Sequence, residues 1–266
     1  MPLKLTVLSS PMDISLNRGI RHRTKFDWAL LPILLLALLL RTQHLTALPI
    51  FHDEALYLHW AQQTVQRHDL GLALNQVSTL HIWLLAGLYN LSLSGLWLGR
   101  FVSALVGFLT VALCYAIGRQ LYRRDVAIVA AALYAVFPLT VFHDRVAQND
   151  SLLAFFIAIL VWRSISWAYY GRVAEQFVIV LVFGLAFLTK KSAALWIPVP
   201  FLAMTMLRKQ ARLKALFLRL IGIAAGFALA MSGMVWFMQD SNVNRQIAEQ
   251  TLFFMPADIL LLWHTN

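Results

Sequence analysis

The residues of this chain whose types could do acid–base chemistry begin with two adjacent carboxylates. Asp53 and Glu54 follow His52 directly after the first apolar run. A carboxylate beside a cleft can act as general base on an incoming hydroxyl or amine. The alternative is that both acids simply open a helix, because acids are favoured in a first helical turn. Neighbouring residues project about 100° apart on a helix, so the functional interpretation predicts one base with a supporting neighbour. His52, beside them, is a substrate-binding candidate.

A second polar group lies in the stretch HDRVAQNDS, residues 143–151. Its last three residues are good helix N-caps, and Arg145 would serve as an interfacial anchor, so a structural interpretation accounts for the residue types. That interpretation does not explain why Arg145 is flanked by Asp144 and Asp150. We therefore treat Asp150 and Arg145 as candidate substrate-binding residues.

A third group consists of the paired lysines Lys190 and Lys191 between two apolar segments. They either extend their ammonium groups to lipid headgroups or hold an anionic ligand, such as a lipid phosphate, at membrane depth. Arg100 and Arg145 could join them in a cationic pocket. Cations facing carboxylates suit a transferase with a lipid-linked phosphosugar donor, since cations stabilise the leaving phosphate while a carboxylate activates the acceptor.

Metal chemistry has little support in the sequence. His52, His59, His81 and His143 do not have the spacing of a recognised metal motif, so we assign no metal ligands. A divalent cation at His52, Asp53 and Glu54 stays open as an alternative. Cys114 is the only cysteine, which excludes disulfide frameworks and cysteine-based metal sites.

The elements that must position these groups are membrane helices. Hydrophobic residues make up 60% of the 266 residues, charged residues 13%, and the mean hydropathy is +0.70, which excludes a water-soluble domain of this size. The net charge of +10 could suggest a nucleic-acid partner, but in a membrane protein it indicates cytoplasmic anchoring. We expect membrane lipid as a partner and no nucleic acid.

Apolar runs of about 20 residues predict seven spans with a cytoplasmic N-terminus. A single helix from 176 to 207 would be about 48 Å long, so two short spans separated at the paired lysines fit better. The first outer loop, residues 50–95, holds two amphipathic segments expected to lie in the interface. Basic residues fall in the predicted cytoplasmic segments and most acids on the outer side, which predicts an outward active site. The predicted spans are 27–46, 96–118, 126–143, 151–170, 174–189, 192–207 and 216–238.

Five stretches in order carry a resemblance to a known family: HDEALYLHWAQQ, STLHIWLLAGLY, LGRFVSALVGFLTVALCYAIGRQLY, AALYAVFPLTVFHDRVAQNDSLLAF and GLAFLTKKSAALWIPVPF. In this order they resemble bacterial membrane glycosyltransferases of family 39. These are relatives of the protein O-mannosyltransferases and the lipid A aminoarabinose transferases, all of the GT-C fold. The resemblance covers about residues 26–207.

The resemblance implies an all-α polytopic membrane helical bundle, a GT-C module of about seven transmembrane helices with interfacial helices in the first outer loop. It implies an inverting glycosyltransferase of the plasma (inner) membrane that uses a polyprenyl-phosphate sugar donor on the extracytoplasmic face. The acceptor stays open between lipid, protein and glycan. The family's catalytic acidic motif falls on Asp53 and Glu54, its later aspartate on Asp150 and its lysine on Lys190, while Arg100 and Arg145 match further charged positions.

The chain departs from the family pattern in two places. Many relatives carry a Lys-Pro-Pro-Leu motif in the first outer loop, where this chain has Val77–His81. Relatives also continue through further spans, so we expect a chain truncated at its C-terminus. The predicted division is a basic cytoplasmic segment (1–25), the transmembrane module (26–238) and an extracytoplasmic segment (239–266). An inactive lipid-binding relative and a polytopic transporter are the alternatives.

Overall fold

The structure, a computed structural model, describes residues 27–73, 78–89, 91, 93–207, 221–230 and 232–233. Within these residues every regular element is helical and there is no strand, so the predicted all-α membrane bundle is confirmed. The predicted terminal segments 1–25 and 239–266 lie outside the described residues. The helices are α1 (Leu30–Thr42), α2 (His52–Gln66), α3 (Thr79–Leu88), α4 (Gly95–Leu121), α5 (Arg124–Val136), α6 (Pro138–Asp144), α7 (Asn149–Tyr170), α8 (Val173–Thr189), α9 (Pro198–Leu207) and α10 (Ile221–Ala230), with 3-10 helices at Leu70–Ala73 and Lys191–Trp196.

Two helices, α4 and α7, are long and apolar enough to cross a membrane, as predicted for 96–118 and 151–170. The predicted span 126–143 is not one straight helix. It consists of α5 and α6, bent by 60° at Phe137, because the ring of Pro138 has no N–H to donate and restricts the residue before it. Within the described residues the remaining apolar helices have 10–17 residues, so the total of seven spans stays a prediction.

The helical structure is interrupted at the paired lysines, as predicted from the length of the apolar segment 176–207. Helix α8 ends at Thr189, and Lys190 takes up an extended conformation with φ −158° and ψ 130°. A 3-10 helix, Lys191–Trp196, then leads into α9. The predicted interfacial segments of the first outer loop also form helices, α2 and α3.

Helices α4 and α7 lie at the centre of the bundle. Helices α1 and α5 pack on α4, and α8 and α9 pack on α7. The largest core cluster joins α7, α8 and α10 through Trp167, Phe183 and Phe227, and the rings of Phe183 and Phe227 lie 4.2 Å apart between centroids. A smaller cluster joins α2 to α3. Burial of these large apolar side chains stabilises the bundle on the α7 side.

Polar contacts are found at both ends of the helical bundle. At one end Arg124 pairs with Asp27 at 2.7 Å, Tyr115 donates a hydrogen bond to the same carboxylate, and Gln120 bonds Ser166. We call this the opposite end. The other end, where α1, α6 and α8 finish and α4 and α7 begin, is called the site end, because it holds the three groups of candidate residues.

A buried ion pair joins three helices at the site end. Arg41 of α1 donates from Nε to Oδ2 of Asp144 in α6 at 2.9 Å, and from Nη1 to the Ala135 carbonyl of α5 at 2.8 Å. Gly107 of α4 makes room for this pair, since a Cβ there would overlap the Asp144 carboxyl group. This pair was not predicted from the sequence. An arginine inside a predicted span was the available signal, because buried charges need a partner.

The close contact at Gly107 yields a stability prediction. Gly107→Ala should lower the free energy of unfolding by about 1–3 kcal/mol, because the new Cβ must displace the carboxylate that neutralises Arg41. Gly87→Ala in α3 is the matched control, since a Cβ there would meet no other packed group of the described residues within 4 Å. Thermal unfolding of the detergent-solubilised protein measures both. Equal melting temperatures for the two variants would contradict the assigned packing.

Candidate active site

The centre of the site end is a buried ion pair between Glu54 and Arg100. Arg100 donates from Nε to Oε1 at 2.8 Å and from Nη2 to Oε2 at 2.7 Å. Neither side chain has any exposed surface. The Glu54 carboxylate also accepts hydrogen bonds from two backbone N–H groups, Ala147 at 2.6 Å and Phe51 at 3.0 Å. Four donors therefore surround this carboxylate.

The rest of the Arg100 guanidinium holds the chain that leads into α2. Its Nη1 donates to the carbonyls of Leu45 and Leu48, and its Nη2 donates to that of Pro49, at 2.6, 2.9 and 3.0 Å. All five N–H groups of the guanidinium are thus bonded within the protein. Arg100 thus holds the segment between α1 and α2 and has no donor left for a ligand.

This geometry bears on what was expected of the carboxylate pair and of Arg100. Arg100, expected to join the lysines in a cationic pocket, pairs with Glu54 instead. Both acids lie in the first turn of α2, as the helix-opening interpretation expects. Glu54 points inward and is saturated, whereas Asp53 is exposed and has no hydrogen bond or ion pair to the described residues. Of the two, only Asp53 is available to a substrate.

Tyr57 lies one helical turn after Asp53 on the same side of α2. The phenol is half-buried, and burial, with the nearby charges of Asp53 and Asp150, raises the pKa of Tyr57 to about 12. Its ring packs edge-on against His81, with centroids 5.2 Å apart. Tyr57 therefore stays a neutral hydrogen-bond donor next to carboxylates from two different helices. The i, i+4 spacing from Asp53 was the sequence signal that could have identified it.

The paired lysines meet the start of α7. Lys190 Nζ lies 2.6 Å from Asp150 Oδ1, and both side chains keep about a third of their surface exposed, 33% and 38%. Asn149 and Thr189, the preceding residues, also bond at 3.5 Å. Lys191 is exposed and has no ion pair with the described residues. The structure thus brings Asp150 and Lys190 together, and the exposed Lys191 is the next residue in the chain.

Arg145 does not pair with either neighbouring aspartate. Its Nη2 donates to the carbonyls of Gln43 and His44 after α1, at 2.7 and 3.3 Å, and its Nε is buried without a partner among the described residues. The two aspartates that flank it bond Arg41 and Lys190. His52 is exposed at the first residue of α2. It adds no contact to the described part of the site.

No metal site is formed by the residues that the structure describes. In the described part of the chain no three His, Cys, Asp or Glu side chains come close enough to hold a metal ion. A divalent-cation site at His52, Asp53 and Glu54 was the alternative raised by the sequence. There the Glu54 carboxylate is already neutralised by Arg100. Glu54 is therefore not available as a metal ligand at this position.

Comparison with known protein families decides the class. Residues 76–236, more than half of the chain, match the family described as dolichyl-phosphate-mannose-protein mannosyltransferase. The chain belongs to this family. The resemblance to family 39 glycosyltransferases is therefore confirmed, and the chain is a membrane glycosyltransferase of the mannosyltransferase type. No match was found among curated proteins.

The matched range of this mannosyltransferase-family chain includes some of the candidate site residues and not others. Arg100, Arg145, Asp150 and both lysines lie within residues 76–236. His52, Asp53 and Glu54 precede them, so their connection to the matched part is structural. It runs through Arg100 and the Ala147 N–H, which bind Glu54 directly.

The unequal burial of the two acids yields a second prediction. Glu54→Gln should lower the free energy of unfolding by about 3–5 kcal/mol, because it leaves the buried Arg100 charge without its counter-ion. Asp53→Asn, one residue away and exposed, should change it by less than about 0.5 kcal/mol. Unfolding by heat or denaturant in detergent compares the two. If Asp53→Asn proved as damaging as Glu54→Gln, the division between an inward and an outward carboxylate would be wrong.

Proposed function

We propose that this chain transfers a sugar, with inversion, from a polyprenyl-phosphate donor to a nucleophile on the extracytoplasmic face of the plasma membrane. The structural observation that carries the proposal is that the exposed Asp53 and the Asp150 of the Asp150–Lys190 pair both lie near Tyr57. Tyr57 lies within electrostatic range of both aspartates, which supports a single shared site. Family membership supports glycosyl transfer, and the family description supports a lipid-phosphate donor.

In this mechanism Asp53 is the general base. Its carboxylate accepts the proton of the acceptor O–H or N–H while that atom attacks the anomeric carbon of the donor. The bond between the anomeric carbon and the phosphate oxygen breaks, and its electron pair leaves with polyprenyl phosphate. Attack from the side opposite the leaving group inverts the anomeric centre. Glu54 supports this step indirectly, because its ion pair with Arg100 holds the first turn of α2 in place.

The lysines suit the leaving phosphate. Lys191 is exposed and Lys190 is one-third exposed, so both ammonium groups can approach a phosphate at the mouth of the site. Charge that develops on the phosphate oxygen is stabilised by cations already held in position. The pair with Asp150 orients Lys190, and Asp150 keeps its second carboxylate oxygen for a hydroxyl of the sugar. Tyr57 provides a neutral donor between the two aspartates.

The distribution of basic residues supports an outward-facing site end. Positive residues favour the cytoplasmic side of membrane proteins. The opposite end carries a set of arginines at the finish of α4, the start of α5 and the start of α8, and the sequence before α1 is also basic. The site end then faces away from the cytoplasm. These arginines are Arg119, Arg123, Arg124 and Arg172.

The base assignment can be tested with Asp53→Asn. Membranes that contain the wild type should release sugar from radiolabelled undecaprenyl-phosphate mannose, or from another undecaprenyl-phosphate hexose. Asp53→Asn should lower kcat by about 10²–10⁴-fold, because proton removal is lost, and should keep donor binding within about twofold. Binding without release by the wild type would identify an inactive relative. If the wild type neither bound nor released the donor, the proposal would fail and a transporter would be the next hypothesis.

The phosphate assignment can be tested by removing the lysine charges. Lys190→Ala with Lys191→Ala should weaken binding of undecaprenyl phosphate itself about tenfold or more, since the contact is with phosphate rather than sugar. Lys190→Arg with Lys191→Arg keeps the charges and serves as the matched control. Arg123→Ala, an exposed cation at the opposite end, controls for general charge effects. A loss of affinity in the Arg123 variant equal to that in the double alanine variant would refute the assignment.

A further inference from the structure

The peptide unit at Ala147, between α6 and α7, is held at both of its polar groups. Its N–H donates to Glu54 Oε1 of α2 at 2.6 Å, and its carbonyl accepts from His81 Nε2 of α3 at 3.3 Å. Ala147 has no exposed surface. Buried backbone groups outside helices need such partners, because leaving them unpaired costs free energy. Side chains from two different helices provide them here.

The methyl group of Ala147 is also enclosed. A Cβ added at Gly99 of α4 would lie 2.9 Å from the Ala147 Cβ and 3.2 Å from Leu85 Cδ2. Only a glycine therefore fits at position 99, where the loop between α6 and α7 crosses α4, one residue before Arg100. The N–H, carbonyl and methyl groups of Ala147 contact α2, α3 and α4 respectively, so this one residue connects three helices to the start of α7.

The bond from His81 to Ala147 defines the state of the imidazole. A carbonyl only accepts hydrogen bonds, so Nε2 must carry the proton and Nδ1 is left as a bare acceptor. Nδ1 is buried without a partner among the described residues. Burial lowers the pKa of His81 to about 4, so the ring is neutral near pH 7. The imidazole is thus a neutral hydrogen-bond donor with one fixed tautomer.

The clamped peptide links the two halves of the candidate active site. Glu54 is adjacent to Asp53 on α2, and the His81 ring packs against Tyr57 one turn further along. On the other side, Ala147 is three residues before Asp150, which pairs with Lys190. A change in the position of Ala147 would shift Asp150 and Lys190 relative to Asp53.

We propose that His81 is a positioning residue that, with Glu54, clamps the Ala147 peptide and thereby sets the distance between Asp53 and the Asp150–Lys190 pair. His81 touches no substrate and acts through Asp150. The kinetic consequence rests on the proposed function, whereas the structural consequence does not.

Substitutions at His81 separate the clamp from general packing. His81→Leu should lower kcat for sugar release from undecaprenyl-phosphate mannose about tenfold and leave KM within about twofold, because reacting groups move apart while the lipid contacts stay. His81→Gln places an amide N–H near the position of Nε2 and should recover kcat to within about threefold. His81→Asn is too short to reach and should resemble His81→Leu. Equal activity of the glutamine and asparagine variants would overturn the proposal.

Thr79→Val is the matched control for lost stability. Thr79 lies in the same turn of α3, is equally buried and donates a hydrogen bond to the Ala73 carbonyl, away from Ala147. The valine variant should lose stability and keep kcat. A drop in kcat equal to that of His81→Leu would show that α3 acts only through its packing.

A double variant tests the route through Asp150. If His81 acts by placing Asp150, then His81→Leu should lower kcat by less than about twofold when Asp150→Asn is already present. Two independent effects would multiply instead. If the kcat losses of His81→Leu and Asp150→Asn multiplied in full, the proposal that His81 acts through Asp150 would be overturned.

Hydrogen exchange tests the clamp without any activity. The Ala147 amide of the full chain in detergent should exchange about tenfold or more faster in His81→Leu than in the wild type, and at a wild-type rate in His81→Gln and Thr79→Val. Unchanged exchange in His81→Leu would refute the clamp. If the wild type released no sugar from any undecaprenyl-phosphate hexose, the proposed function would fail while this measurement would still decide the clamp.

Discussion

The ion pair between Glu54 and Arg100 is the interaction on which the site end depends. A buried ion pair is favourable only when further hydrogen bonds satisfy both partners, and here every donor of the guanidinium and both carboxylate oxygens are bonded. The planar guanidinium suits this arrangement because it can bind a carboxylate with two parallel bonds and still reach three carbonyls. Non-helical chain at membrane depth needs such partners, since lipid offers none. The pair thus makes an irregular loop compatible with an apolar bundle.

The same pair explains how two adjacent carboxylates take different roles. Their side chains point in different directions from the first turn of α2, so one faces the arginine and the other faces outward. The inward carboxylate is fully bonded and holds the helix. The outward one is exposed, with no partner in the described part of the chain. A rigid support beside an unpaired carboxylate is the arrangement that electrostatic preorganisation requires, because the reacting group then needs no rearrangement.

Small residues allow the polar contacts to form. Gly107 leaves space for the Asp144 carboxyl group beside Arg41, and Gly99 leaves space for Ala147 between three helices. In both places the backbone of α4 is approached so closely that a methyl group would collide. Helix α4 therefore acts as the surface against which the loops of the site end pack, while its own Arg100 binds the segment between α1 and α2.

Several elements were predictable from local sequence. Apolar runs indicate helices because side chains in lipid must be apolar and backbone groups must bond internally, and this identified α4, α7 and the break after Thr189. The start of α2 at the acidic pair follows from the preference of acids for first turns. The bend at Phe137 was missed, although Pro138 was its local cause.

By itself, the sequence determined that the chain is a helical membrane protein with its polar residues gathered near helix ends, because both properties follow from the order of apolar and polar residues. Tertiary structure decided which charges meet. Glu54 and Arg100 are 46 residues apart and Arg41 and Asp144 are 103 apart, and Arg145 pairs with neither of its adjacent aspartates. These pairings depend on which helix ends lie side by side. That arrangement results from packing over the whole bundle, and no local pattern of residues encodes it.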